Sequence, residues 1–316
     1  MGKLYAIGEI LIDFIPHEKG CALKEVVTFD RAPGGAPANV AACVSKLGIE
    51  SHFIGKVGKD AFGEFLIDTI QEAGVGIDYV TYTDEANTAL AFVSLAADGN
   101  RDFSFYRNPS ADMLLEADEI QTDVFEEGDI LHFCSVDLIE APVKYAHIKA
   151  IDAMKAVGGK ISFDPNLRFP LWKSKEELIE TVQEFIPKAN ILKVSDEELK
   201  FITGIADEEE AIKSLFVGDV EYVIYTLGPD GARIYTKDGS VSVAGGYKVD
   251  VVDTTGAGDA FIGGFLYRVL EVGYKQLGSA DLREMIDFAN KVGAYITSKK
   301  GVIHQLPTLE DIRKTF

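Results

Sequence analysis

From residue 129 the sequence keeps a regular alternation. "DILHFCSV", "KISFDPN", "NILKVS" and "EYVIYTLG" are short apolar runs of strand length, and between them stand "APVKYAHIKAIDAMKAVG", "SKEELIETVQEFIPKA" and "DEELKFITG", with apolar residues at helical spacing. Strands separated by helices of this length pair side by side through crossovers, so the pattern predicts βαβ units and a mainly parallel sheet covered by helices. Upstream the pattern is looser. A strand is expected over residues 4–14, a helix over "APANVAACVSKLG" ending at Gly48, a strand at "SHFIGKVG" and a helix at "DAFGEFLIDTIQEAGV". Residues 88–107 read as a hairpin turning at Asp98-Gly99-Asn100. Downstream come a short β excursion, "ARIYTKDGSVSVAG", a glycine loop opening a helix, and a long helix at "ADLREMIDFANKVGAYITSKKG". No repeat, low-complexity tract or linker divides the chain. Residues 1–316 are therefore expected to form one α/β domain, with a small β appendage drawn from about residues 15–33 and 88–107.

An apolar fraction of 47% supplies the core that such a domain needs. The formal net charge of −20 argues against nucleic acid and anionic membranes as partners, because both are bound through clustered cations. Cys21, Cys43 and Cys134 are odd in number and lack C-x-x-C spacing, which fits a reducing compartment. Glu9 and Asp13 interrupt the apolar opening, no cleavage-site pattern follows it, and no run approaches the length of a membrane span. The expectation is a soluble cytoplasmic protein.

Open parallel sheets bind ligands beyond the carboxyl ends of their strands. The polar residues and glycine closing the predicted strands are therefore candidates: Asp13, Asp164, Asn166, Ser195, Glu198, Thr226, Gly228 and Asp253. The sheet brings them to one edge from distant parts of the chain.

The glycine loop "VVDTTGAGDAFIGGFL" carries the sharpest signal. It is no P-loop, because no lysine stands between Asp250 and Tyr274, and Phe261 occupies the third glycine's place in a dinucleotide fingerprint. Two readings of Asp259 stand side by side. It favours the helix N-terminus electrostatically, or it is a general base beside a phosphoryl group held by the N–H groups of Gly256, Ala257 and Gly258. Asp253 and Thr255, just before the turn, offer oxygen ligands to a cation. A second glycine turn, Gly34-Gly35, precedes a helix whose first turn carries Asn39. That arrangement lets a small ligand approach the backbone while Asn39 bonds hydroxyl groups, or it is an ordinary turn with a solvated asparagine.

"GGAPANVAACVSKLG" with "GKVGKDAFG", and "DTTGAGDAFIGGF", resemble in order and separation the N- and C-terminal signatures of the ribokinase-like (PfkB) carbohydrate kinases, over essentially the whole chain. "GEILIDF", "DPNLR", "KVSDEEL" and "VDTTGAGDAF" are most similar to fructokinases within that family.

The resemblance implies a three-layer α/β/α fold with a mainly parallel central sheet and a small β-sheet lid. It implies ATP-dependent phosphorylation of fructose to fructose 6-phosphate. Another ketose, 2-keto-3-deoxygluconate or a nucleoside as substrate is the alternative within the family, and a non-catalytic sugar or nucleotide sensor the alternative of another class. Carried over residue by residue, Asp259 becomes the base and Gly256, Ala257 and Gly258 the anion hole. Asp13, Gly34, Gly35, Asn39, Phe105 and Arg168 become sugar contacts, with Arg107 approaching the same site. Lys193, Glu198, Thr226, Gly228, Gly231 and Asn290 become nucleotide contacts. Glu198 would hold Mg2+ through water, although Ser195 stands where many members have asparagine. Asp253 and Thr255 would hold K+, completed by main-chain oxygens around "TSKKG". A homodimer formed through the lids is the expected assembly.

Overall fold

A computed structural model of the chain describes residues 2–18, 20–95, 101–274 and 278–316. Its elements run β1 (Leu4–Ile7), β2 (Leu11–Pro16), β3 (Phe29–Gly34), α1 (Ala36–Leu47), β4 (Ser51–Gly58), α2 (Ala61–Glu72), β5 (Gly76–Thr83), β6 (Leu90–Leu95) and β7 (Arg101–Tyr106). There follow β8 (Ile130–Cys134), α3 (Pro142–Ala156), β9 (Lys160–Asp164), α4 (Lys175–Phe185), β10 (Ile191–Ser195), α5 (Asp196–Thr203) and α6 (Glu208–Ser214). The chain ends with β11 (Tyr222–Thr226), β12 (Ala232–Thr236), β13 (Val241–Ala244), α7 (Ala257–Val272), α8 (Ser279–Thr297) and α9 (Leu309–Thr315).

The main sheet has nine strands in the order β13-β12-β11-β10-β9-β8-β1-β4-β5. From β11 to β5 every neighbouring pair is parallel, and β12 and β13 extend the other edge in antiparallel fashion. The inner strands are buried on both faces, which is why they read as unbroken apolar runs. Val40 of α1, Leu66 of α2, Phe265 of α7 and Ile286 of α8 belong to the core on one face. Ile151 of α3, Val182 of α4, Ile202 of α5 and Ile212 of α6 belong to the core on the other. The layers are α/β/α, as the alternation and the family resemblance predict.

A second sheet, β3-β2-β6-β7, stands apart from the first. Its register aligns Asp13 with Ala32 and Ala91, and Ala91 with Phe105, so these residues share one face. Phe14 and Phe92 alternate to the other face, where they stack at 4.7 Å and Phe14 meets Phe62 of α2 at 6.0 Å.

The strand expected over residues 4–14 is two strands in two sheets. Gly8 takes φ +146° and Glu9 turns into the interior, so β1 stays in the main sheet while β2 starts the small one. Asp13 is therefore in the middle of a small-sheet strand and does not close a main-sheet strand. The small sheet is built from residues 11–16, 29–34, 90–95 and 101–106. The expected turn at Asp98-Gly99-Asn100 lies outside the described residues. Strand β5 and helices α6 and α9 are elements that the sequence pattern leaves unassigned.

Candidate active site

The loop before α7 makes the sharp turn that its glycines allow. Gly256 caps the helix at φ +73°, and a Cβ there would stand 2.5 Å from a Val302 methyl group. Asp259 is the third residue of α7 and is 8% exposed. The first N–H groups of a helix have no intrahelical acceptor. Of the expected anion hole, the Ala257 N–H donates to the Thr254 carbonyl at 3.3 Å. Gly258 faces a cation, since a Cβ on it would lie 3.3 Å from Lys193 Nζ.

Two asparagines orient the Asp259 carboxylate. Asn39 Nδ2 donates to Oδ2 at 2.8 Å, and Asn166 Nδ2 donates to Oδ1 at 3.4 Å. Asn39 reaches it because α1 packs against α7, where the Cys43 thiol donates to the Ala260 carbonyl at 3.6 Å. Asn166 reaches it from the loop after β9 in a left-handed conformation, φ +44°, strained for a residue with a side chain and tolerated best by Asn and Asp. Burial raises the Asp259 pKa above the usual carboxylate range, while the Asn39 bond and the charges of Arg168 and Lys193 oppose the shift.

Strands β9 and β10 run parallel with Phe163 opposite Leu192, which sets Asp164 beside Lys193. Lys193 Nζ lies 2.9 Å from Asp164 Oδ2, and both side chains are buried. Burial opposes the ammonium charge, but the carboxylates of Asp164, Glu198 and Asp259 outweigh it and hold the Lys193 pKa above its ordinary value. Glu198 Oε1 accepts the Leu167 N–H at 3.0 Å, and Oε2 accepts the Ser195 N–H and hydroxyl, each at 2.9 Å. Against the pull of burial, Lys193 and these donors lower the Glu198 pKa. Ser195 is thus the N-cap of α5, and Glu198 ties that helix to the loop carrying Asn166 and Arg168.

On the other side, Gly34 lies against Asp13, where a Cβ would stand 2.1 Å from Asp13 Oδ2. Gly35, at φ +111°, lies against the Glu9 carbonyl and hands the chain to α1 and Asn39. Phe105 packs with Leu11, Ala89 and Ala91 on the Asp13 face of the small sheet. Arg107 does not open onto this site: its side chain is buried between Asp112 and Asp137.

Thr226 closes β11, and the turn after it uses Gly228 at φ +53° and Gly231 at φ +98°. A Cβ on Gly231 would stand 2.2 Å from the Ala244 carbonyl. Asn290 of α8 donates to that carbonyl at 3.2 Å and to the Gly245 carbonyl at 3.1 Å, which fixes the loop opposite the turn. Asp253 Oδ1 accepts the Thr255 N–H at 2.9 Å and its hydroxyl at 2.7 Å. The Thr297 carbonyl accepts the N–H groups of Val252 and Asp253 at 2.8 and 3.1 Å.

Asp259, Asn39, Asn166, Asp164 and Lys193 are thus one connected constellation, with Arg168 and Glu198 in its field. The pairing of Lys193 with Asp164 was legible only through the strand register. Glu9, against the Gly35 turn, was missed as a site residue; its only sequence signal is a carboxylate inside an apolar run.

The chain belongs to the pfkB family of carbohydrate kinases, whose family match spans residues 1–309. It is a sugar kinase, a phosphotransferase acting on an alcohol group. It is 45% identical over 314 residues to probable fructokinase-4 of Arabidopsis thaliana, covering 98% of this chain and 95% of that one. To fructokinase-2 of Solanum lycopersicum it is 43% identical over 311 residues, covering 98% and 94%. Fructokinase from Vibrio cholerae O395, solved in its fructose, ADP and calcium ion bound form, matches with a TM-score of 0.89 at 36% identity, covering 99% of this chain and 98% of that one. Aminoimidazole riboside kinase from Salmonella enterica, complexed with aminoimidazole riboside and an ATP analog, matches with a TM-score of 0.87 at 31% identity and covers 99% of each chain.

Proposed function

We propose that this protein transfers the γ-phosphoryl group of ATP to a hydroxyl of fructose, giving fructose 6-phosphate and ADP. The observation that carries the reading is the 2.8 Å bond from Asn39 to Asp259, which joins the helix after the Gly34-Gly35 turn to the helix opened at Gly256, the two residues standing 220 positions apart. Asp13, Gly34, Gly35, Asn39, Phe105 and Arg168 hold the sugar. Asp13 accepts from its hydroxyls, and Phe105 supports the same face of the small sheet. Asp259 takes the proton of the attacking hydroxyl as its oxygen bonds phosphorus and the bond to the ADP oxygen breaks. Asn39 and Asn166 hold the carboxylate in place for that transfer. Gly256, Ala257 and Gly258 face the transferring group, and Lys193 adds a buried positive charge where negative charge spreads over its oxygens. Lys193, Thr226, Gly228, Gly231 and Asn290 frame the nucleotide. The small sheet acts as a lid that excludes water, which otherwise competes with the sugar for ATP.

Magnesium bound with the nucleotide neutralises phosphate charge. Glu198 would hold it through water, because three of the roughly four lone-pair directions of its carboxylate already accept protein donors. Asp253 and Thr255, with main-chain oxygens nearby, offer the all-oxygen donor set that suits K+. The three cysteines are free, and no helix among the described residues is long and apolar enough to cross a membrane, which supports the cytoplasmic setting. Pairing of two copies through their small sheets completes the proposal.

The test is kinetic. Purified protein is offered fructose, 2-keto-3-deoxygluconate, ribose and aminoimidazole riboside with ATP, and fructose is expected to give the highest kcat/KM. A sugar acid or nucleoside equal to fructose would defeat the substrate assignment. Asp259→Asn is expected to lower kcat by ~10²-fold or more while sugar and ATP still bind, as for loss of an acid–base group. Unchanged turnover would remove Asp259 from the role.

A further inference from the structure

The small sheet joins the body through residues 8–10, Gly35, residues 84–89 and Arg107. Glu9 lies in the first of these connections and is 3% exposed. Its Oε1 accepts the N–H of Ala36, just past the second connection, at 3.0 Å. Arg107 forms the fourth, and one of its guanidinium nitrogens donates to both Asp112 and Asp137. Asp137 belongs to the loop after β8, so Arg107 fastens the end of β7 to the body. Glu9 lies within the electrostatic field of Arg107 and Asp112, and all of these side chains are buried.

This cluster is not a set of saturated bonds. Glu9 Oε2, Asp137 Oδ2, and Arg107 Nε and Nη1 have no hydrogen-bond partner among the described residues. Unpaired buried polar groups are destabilising, and proteins retain such departures from good packing chiefly where they serve function. The groups touching Glu9 indicate which function. Its carbonyl lies against Gly35, its carboxylate holds the first N–H of α1, and Asn39 stands in the first turn of that helix with its amide on Asp259.

Resting on the sugar-kinase reading above, we propose that Glu9 is a positioning residue for the sugar. It links the connection between β1 and β2, through the Ala36 N–H, to the Gly34-Gly35 turn and to the donor that orients the base. Displacing Glu9 moves the sugar-facing turn and Asn39 together. Among the described residues no hydrogen bond or ion pair joins it to the turn at Gly228 and Gly231 or to the loop held by Asn290, so the effect is expected to fall on the sugar and spare ATP.

The experiment compares Glu9→Ala and Glu9→Gln with the parent protein by KM for fructose, KM for ATP, ATP hydrolysis without sugar, and Tm. A misplacement of 1 Å away from the chemistry can cost ~10²-fold, and Glu9→Ala is expected to raise the fructose KM at least ~10-fold. The ATP KM is expected to hold, and sugar-free hydrolysis to rise relative to phosphoryl transfer. Glu9→Gln, which keeps an acceptor for the Ala36 N–H, is expected to recover most of the loss. A folded Glu9→Ala protein with the parent's fructose KM overturns the proposal, and so does an equal loss of affinity for both substrates. If Glu9→Ala does not fold, Glu9→Asp, which shortens the reach to the Ala36 N–H, is measured in the same way: the same split between the two KM values supports the positioning role, and its absence overturns it. Asp259→Asn assayed in parallel reports on the base alone, which separates failure of the positioning role from failure of the kinase reading.

Discussion

In its proposed role as base, Asp259 would have to be basic enough to take a proton and still be ionised when the sugar arrives, and its neighbours divide that task. Burial raises its pKa, while Asn39, Arg168 and Lys193 hold it down. Because catalysis needs the ionised form, kcat/KM is expected to fall as pH drops through this raised value, giving an acid limb above the ordinary aspartate range. Lys193→Met removes one of the cations opposing the shift, so the acid limb should move to higher pH. The same substitution removes the charge proposed to face the transferring phosphate, and kcat should fall by ~10²–10³-fold, the scale seen when one such donor is lost. A pH–rate profile of the variant checks both, and an unmoved acid limb would show that Lys193 does not act on the base. The glycines and Asp259 were legible because a glycine turn opening a helix is a local pattern. The Lys193–Asp164 pair was not, since only the pairing of β9 with β10 brings together residues 29 positions apart.

At the scale of elements, every connection between the two sheets is fastened by a buried or half-buried polar group. Glu9 and Arg107 serve three of them, and Asp60 serves the fourth. Asp60 caps α2 by accepting the Phe62 and Gly63 N–H groups at 3.0 and 2.9 Å. It also accepts the Thr88 N–H at 2.8 Å and the Thr88 hydroxyl at 2.9 Å, which holds the approach to β6. Removing an N-cap costs ~1 kcal/mol, and leaving the Thr88 donors unpaired together adds ~1–3 kcal/mol, so Asp60→Ala is expected to lose ~2–4 kcal/mol in urea unfolding. A loss under ~0.5 kcal/mol, the range of an inert surface substitution, would show that the connection is held elsewhere. Burial works against the Asp60 charge, but these donors prevail and its pKa is lowered. Its stabilisation is therefore present above the unfolded-state pKa and is lost as pH falls through the folded value. Helix caps of this kind follow from sequence, because an aspartate before an apolar periodic run is a local signal. The break between β1 and β2 was hidden, because an apolar run on either side of a glycine and a glutamate reads as one strand until the partners of each half are known.

For the whole molecule, the parallel core followed from the rhythm of strands and helices, because crossover geometry leaves few other ways to arrange them. The small sheet was expected from about residues 15–33 and 88–107, but the place of β2 in it and its register were not legible, since they depend on contacts far apart in sequence. That sheet also bears on assembly. Strand β7 lies at its edge, and Tyr106, 64% exposed, presents a large ring beside Phe92 at 5.1 Å. An exposed aromatic group on an unpaired edge strand is a surface that proteins usually cover. In the proposed homodimer a second copy would cover it, because a two-fold contact uses the same patch on both chains and would bury each Tyr106 at once. A substitution in such a contact counts twice, so Tyr106→Glu places two carboxylates in the interface and is expected to convert a dimer to monomers. Sedimentation velocity at several concentrations measures this directly. A parent protein that sediments as a monomer throughout, or a Tyr106→Glu protein that remains a dimer, would remove the small sheet from the interface.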